Sequence, residues 1–173
     1  MKKTLCIMLT TVMLLSLTGC QGLVGTRIAE AVSSDELANN RVKAFLEAVE
    51  KGDKGAIKGM LAPKTIKKVE DIDAQIDALI DFYKGETKKI DDSGGREVKS
   101  TYDYGDVRKI IESSYIITTT EEQYQLAIKD VAINDFNENN EGIAYVYIKK
   151  AEKDYEDNHY WGDYNSKRGI YIR

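Results

Sequence analysis

The stretch Asp91-Asp92-Ser93-Gly94-Gly95 divides the chain into two halves with different hydrophobic periods, and that division sets the fold class. Before it, apolar residues recur every three or four positions, the spacing of a helix that buries one stripe. After it they alternate, and β-branched residues and tyrosine take over, as in half-buried strands. Helices first and strands afterwards predict an α+β domain with helices covering one face of a sheet.

Working upstream, three helices are expected. Ser33 stands three residues before Glu36, the capping-box spacing that satisfies orphan amides at a helix start. The first helix carries Leu37, Val42, Phe45, Leu46 and Val49 on one face, with Asn39, Asn40, Lys43, Glu47 and Glu50 largely opposite. Gly52 stops it, and Asp53 caps a short second helix bearing Ile57, Met60 and Leu61, which Pro63, the only proline, ends. Ile66, Val69, Ile72, Ile76, Leu79, Ile80 and Tyr83 predict a third helix from about Thr65 to Lys84, with Gly85 as its stop.

Downstream, strands are expected near Arg96 to Tyr104, Val107 to Thr119, Glu122 to Ile133, Gly142 to Lys150 and Arg168 to Arg173. Tyr104-Gly105-Asp106 and Thr120-Glu121 read as tight turns, and Asn137 to Gly142 as a longer polar loop. The simplest arrangement is an antiparallel meander. Ile143, Tyr145 and Tyr147 would share one face of a strand and Ala144, Val146 and Ile148 the other, making one face tyrosine-rich. Such tyrosines either line a pocket or pair across strands.

The chain begins with Met1-Lys2-Lys3 and an uncharged apolar run from Leu5 to Leu17, too short for a comfortable bilayer span and ending in small residues before a cysteine. Leu17-Thr18-Gly19-Cys20 resembles the lipobox of bacterial lipoproteins. That resemblance implies removal of a signal peptide at residues 1–19 and lipidation of Cys20, whose acyl chains anchor the protein to the outward face of the cell membrane. Residues 20–34 then read as the lipidated cysteine and a tether, and residues 35–173 as the domain. Leu23, Val24, Ile28 and Val32 could instead dock the tether on that domain.

Loss of the signal removes Lys2 and Lys3 and no acid, moving the formal net charge of the 173-residue chain from −4 to −6. An acidic surface argues against a nucleic-acid partner. Cys6 lies in the signal and Cys20 at the lipid site, so the domain has no cysteine; it must fold without disulfides, and it offers no thiolate nucleophile. With His159 the only histidine, a zinc site is not expected, and no cofactor fingerprint is present.

Two constellations stand out. Asp135, Asn137 and Asn139 alternate like the first ligands of an EF-hand loop, but Asn140 stands where that loop needs glycine and Val146 where it needs a bidentate glutamate, so a polar loop is expected. Asp154 to Tyr164 concentrates the only Trp and His with four acids and three tyrosines. Tyr155, His159, Tyr160, Trp161, Asp163 and Tyr164 form a candidate binding loop, because Tyr and Trp give rigid contact area with a polar tip. The same aromatics could equally close the core. His159 beside Asp157 and Asp163 lacks the second motif a catalytic site requires.

The run Val42, Phe45, Leu46, Val49, Gly52-Asp53, Ile57, Met60-Leu61, Ala62-Pro63 resembles the opening helices of NTF2-like, cystatin-like domains, and of small bacterial lipoproteins of unknown function that carry them. The resemblance spans most of Asp35 to Arg173 and implies a cone: three N-terminal helices packed on a curved antiparallel sheet. Such a cone holds a small ligand, an active site or a protein, and fold alone does not choose. The expectation is a non-catalytic domain that binds a small envelope ligand or another protein. The alternatives are an isomerase- or hydratase-type enzyme using a buried Asp and Tyr, for which Asp103 and Asp130 are candidates, and an inhibitor or self-protection protein acting through the acidic aromatic loop. Many such domains pair through the outer sheet face, which leaves a homodimer open.

Overall fold

A computed structural model describes residues 33–151 and 167–173. Ser34–Arg173 forms one compact unit. Among the described residues four α-helices precede the sheet: α1 (Ser34–Glu50), α2 (Lys54–Met60), α3 (Pro63–Lys68) and α4 (Ile72–Phe82). The described strands that follow are β1 (Thr87–Asp103), β2 (Asp106–Thr119), β3 (Gln123–Asn134), β4 (Gly142–Lys150) and β5 (Gly169–Ile172), with a short 3₁₀ turn at Glu138–Asn140. No helix among the described residues is long and apolar enough to cross a membrane.

The α1–α2 break follows the residues that predict it. Gly52 sits at φ +63°, where a side chain would be strained, and the Asp53 carboxylate accepts the Ala56 amide at 2.9 Å to cap α2. The expected third helix is instead two. Pro63 opens α3 rather than ending α2, because a missing N–H costs nothing in a first turn. The chain then turns extended at Val69 (φ −97°, ψ 115°) before α4 begins. The break lets two short helices reach different strands. Thr65 Oγ1 lies 3.2 Å from the carbonyls of both Ile143 and Ala144 on β4, while Gln75 Oε1 accepts the Ile170 amide of β5 at 2.8 Å.

The sheet order is β1-β2-β3-β4-β5, antiparallel except for a parallel β4–β5 pair, so the sheet is mixed and the expected all-antiparallel meander fails at its last strand. The sequence change at Asp91–Gly95 lies inside β1, not before it: the strand starts at Thr87 and absorbs the glycines in a register shift between Asp92 and Arg96. Tyr104 (φ 47°) and Gly105 (φ 98°) form the tight turn to β2.

One face of the sheet carries the core. Val42, Phe45, Leu46 and Val49 of α1 and Ile72, Ile76 and Leu79 of α4 pack on Tyr115, Ile117, Tyr124, Leu126, Ile128, Val146 and Ile148. Ile143 joins them, because a register shift at Lys129/Asp130 puts Ala144 out of step and turns Ile143 away from Tyr145 and Tyr147. The tyrosines are thereby split: Tyr115 and Tyr124 face the helices, and Tyr145 and Tyr147 lie on the other side. Where the α2–α3 joint crosses β4, Gly142 at φ +106° allows contact that any Cβ would prevent, at 2.9 Å from Met60 O and Ala62 N.

Candidate functional site

Strand alternation places a polar cluster on the helix-facing side. Three successive rows run across β1, β2 and β3: Asp92, Tyr115 and Leu126; Arg96, Ser113 and Ile128; Val98, Ile111 and Asp130. Rows two residues apart stand about 7 Å from one another and strands about 4.8 Å, so Tyr115, Arg96, Ser113 and Asp130 share one face and spread over about 14 Å of it. Buried Lys109 follows one row further along. The N-terminal half of α1 crosses above them.

Arg41 of α1 donates its Nε–H to Asp130 Oδ2 at 2.8 Å. Asp130 is 4 % exposed, and its second oxygen, Oδ1, is buried with no hydrogen-bond partner among the groups around it. A carboxylate oxygen stripped of water and left unpaired costs free energy, so such an oxygen in a native fold calls for a role or a bound water. On the far side of α1, the Arg96 guanidinium bonds Asp35, Asn39 and Asp92, leaving Nε unpartnered. Burial works against its charge, but Tyr115 and Asp35 outweigh it and raise its pKa. The Tyr115 hydroxyl faces that guanidinium without meeting the geometry of a hydrogen bond and is itself unpartnered, at 1 % residue exposure. The patch thus offers a buried acceptor on Asp130 and buried donors on Arg96 and Tyr115.

Lys129, next to Asp130, points to the other face, where it pairs with Glu112. Its Nζ lies 2.7 Å from Glu112 Oε1, off the line of a good hydrogen bond, and Tyr145 donates to Glu112 Oε2 at 3.3 Å. Burial, then the Glu112 charge, pushes the Tyr145 phenol well above its ordinary pKa. A shallow groove of about 190 Å³ between α1 and the start of β1, lined by Leu46, Glu50, Thr87 and Ile90 among others, holds less chemistry: Glu50 already accepts the Thr87 amide at 2.7 Å.

Of the two acids singled out from sequence, Asp130 points under the helices, whereas Asp103 ends β1 in solvent opposite Asp106. The Asp135–Asn139 stretch is a polar loop whose side chains serve its own backbone. Asp135 Oδ2 accepts the Val107 amide at 2.9 Å, and Asn137 Oδ1 accepts that of Asn139 at 3.1 Å. The lipobox Leu17, Thr18, Gly19 and Cys20, and the loop residues Tyr155, His159, Tyr160, Trp161, Asp163 and Tyr164, lie outside the described residues. Sequence reasoning missed Arg41 and Arg96. Arg41 left a trace, a cation set into the stripe Ala38, Val42, Phe45 at helical spacing. Arg96 left none, because the register shift before it decides which way it points.

A model of a domain of unknown function, DUF5104, matches residues 44–152. The chain belongs to this family. The DUF5104 match runs from the middle of α1 to just past β4, so it holds Arg96, Ser113, Tyr115 and Asp130 but neither Asp35 nor Arg41. No curated protein matches the chain.

Proposed function

We propose that this DUF5104 protein is an extracytoplasmic lipoprotein, anchored to the cell membrane through Cys20, whose NTF2-like domain binds a small polar ligand on its helix-facing side without transforming it. The lipobox and the basic, uncharged, small-residue order of residues 1–19 support the anchor. The helix, Gly-Asp break and helix ahead of the sheet support the NTF2-like reading. The observation that carries the binding role is Asp130 Oδ1, a buried acceptor without a donor, on the same helix-facing side as the Tyr115 hydroxyl and Arg96 Nε, which are buried without partners. A ligand bearing a hydroxyl or amine at one end and an acceptor at the other would satisfy all three.

A thermal-shift screen of the soluble form from Gln21 onward, against sugars, peptidoglycan fragments and small hydroxy or amino acids, tests this. A saturable shift that disappears in Asp130→Asn supports the reading, and a shift that survives that change, or none at all, removes it. Cys20→Ser should release the full chain from the membrane fraction or leave it unprocessed, and unchanged lipid labelling would remove the anchor reading. The inward placement of Asp130 and Tyr115 also favours a second reading, an isomerase- or hydratase-type enzyme. Turnover of a bound compound that Asp130→Asn abolishes while binding persists would establish it.

A further inference from the structure

The distal half of β1 raises a question the patch under α1 does not. Among the described strands β1 is an edge, paired only with β2, and from Glu97 to Asp103 every residue is exposed on both faces of the sheet. Val98 (40 %) and Tyr102 (68 %) are large apolar groups in water. A free strand edge is a template for another strand, and proteins guard against this with bulges, prolines and charges. The register shift between Asp92 and Arg96 guards the proximal half of β1. The distal half has no proline and no bulge, and only the charges Glu97, Lys99 and Asp103 guard it.

We propose that this edge is where two copies of the chain meet, pairing antiparallel about a twofold axis through Val98. The sequence around Val98 is self-complementary in that register and in no neighbouring one. With Val98 opposite Val98 of the second copy, Glu97 falls opposite Lys99 and Lys99 opposite Glu97, giving two opposite-charge pairs flanking an apolar pair, while Arg96 meets Ser100. Moving the axis one residue to either side sets Glu97 opposite itself or Lys99 opposite itself, which is repulsive. Glu97 and Lys99 are more than half exposed; they pair with one another at 3.0 Å along the strand, and Lys99 Nζ also lies 3.7 Å from Glu112 Oε1, so the new pairs would exchange surface contacts for contacts across the axis. The two sheets would become one continuous sheet with the helices of both copies on the same side, because residues opposite one another in an antiparallel pair share a face. This pairing sets Ser100 of the second copy beside Arg96, at the margin of the polar cluster, and reaches neither β2 nor β3, where Tyr115 and Asp130 lie.

Disulfide trapping of the full chain in membranes tests the register. Val98→Cys places its thiol on the axis and should give a cross-linked dimer on mild oxidation, at least about fivefold above Ser100→Cys, which would face Arg96, and above Tyr104→Cys at the turn. The unsubstituted chain run in parallel fixes whatever Cys6 and Cys20 contribute. In the Val98→Cys background, Glu97→Lys should cut the dimer about tenfold, and adding Lys99→Glu should restore it, since the two charges are merely exchanged. That rescue also shows that the single change did not act by unfolding the hairpin. Equal trapping at all three positions means random collision and overturns the proposal. So does absence of a Val98 dimer, including the case in which the thiol is trapped by a different protein instead.

Discussion

Tyr115 and Tyr124 stand on neighbouring strands, on the same face of the same sheet, and each is buried to 1 % exposure or less. Their hydroxyls meet opposite fates. The Tyr124 oxygen accepts the Lys84 amide at 2.8 Å and donates to the Phe82 carbonyl at 3.2 Å, closing the C-terminal end of α4. Its ring stacks on Tyr83 at 5.0 Å and meets Phe82 edge-on at 5.5 Å. The Tyr115 hydroxyl has no partner, nor has Oδ1 of Asp130 on the same face. One end of the helix-covered face is therefore finished as structure, and the other keeps polar atoms in reserve. A fold that leaves a buried group unpaired sacrifices stability there, and function is the usual compensation.

The largest test of this contrast is Asp130→Ala. It strands Arg41, whose side chain remains about a third exposed, so the loss should sit below the full cost of breaking a buried pair, at about 3 kcal/mol by urea denaturation. Ligand-induced stabilisation should vanish with it. If Asp130 served only to hold α1, replacing Arg41 and Asp130 together by leucine would recover most of the stability and leave any ligand shift unchanged, which would end the site reading.

Tyr124→Phe comes next. It orphans one amide and one carbonyl where α4 meets β3, and should cost about 2 kcal/mol with no effect on ligand. Tyr83, at the same finished end, gives a pH signature. Its phenol is pushed up to about 12 by burial, despite the Thr87 hydroxyl at 2.7 Å, which works the other way. The folded state therefore keeps a proton that the unfolded chain releases near pH 10. Its contribution is fully present below pH 10 and is lost as pH rises towards 12. Between pH 9 and 11 the wild-type should lose about 1.4 kcal/mol more than Tyr83→Phe, measured as the difference in the slope of stability against pH.

The contrast also marks how far the sequence could be read. Gly52-Asp53 and the Tyr104-Gly105 turn act through local backbone chemistry, so each could be placed from its own residues, whereas the change of period read after Gly95 falls inside a strand that already starts at Thr87. Pro63 misled because proline both ends helices and begins them, and only the reach of Thr65 to β4 decides which. The parallel pairing of β5 depends on the path between β4 and β5, which no local pattern encodes. Half of the site was visible in principle: Asp130 stood out as an acid in an apolar strand, and its direction waited on register. Arg96 and Tyr115 meet only because β1 slips between Asp92 and Arg96, a long-range fact with a two-glycine cause.

The smallest effect is the most discriminating. Tyr115→Phe removes a hydroxyl that no neighbouring group satisfies, so the folded state loses no hydrogen bond and sheds a desolvated polar atom. Stability should change by less than about 0.5 kcal/mol, or rise slightly, in contrast to the same substitution at Tyr124. Arg96 would lose the neighbour that helps hold its charge, yet Asp35, Asn39 and Asp92 remain, so the guanidinium should stay in place. If the hydroxyl is held for a ligand, the affinity of any compound found in the screen should fall about tenfold while the fold is unmoved, which is the worth of one hydrogen bond in a closed site. A loss of stability matching that of Tyr124→Phe would instead mean that an ordered water bridges Tyr115 to its neighbours, and that both ends of this face are structure.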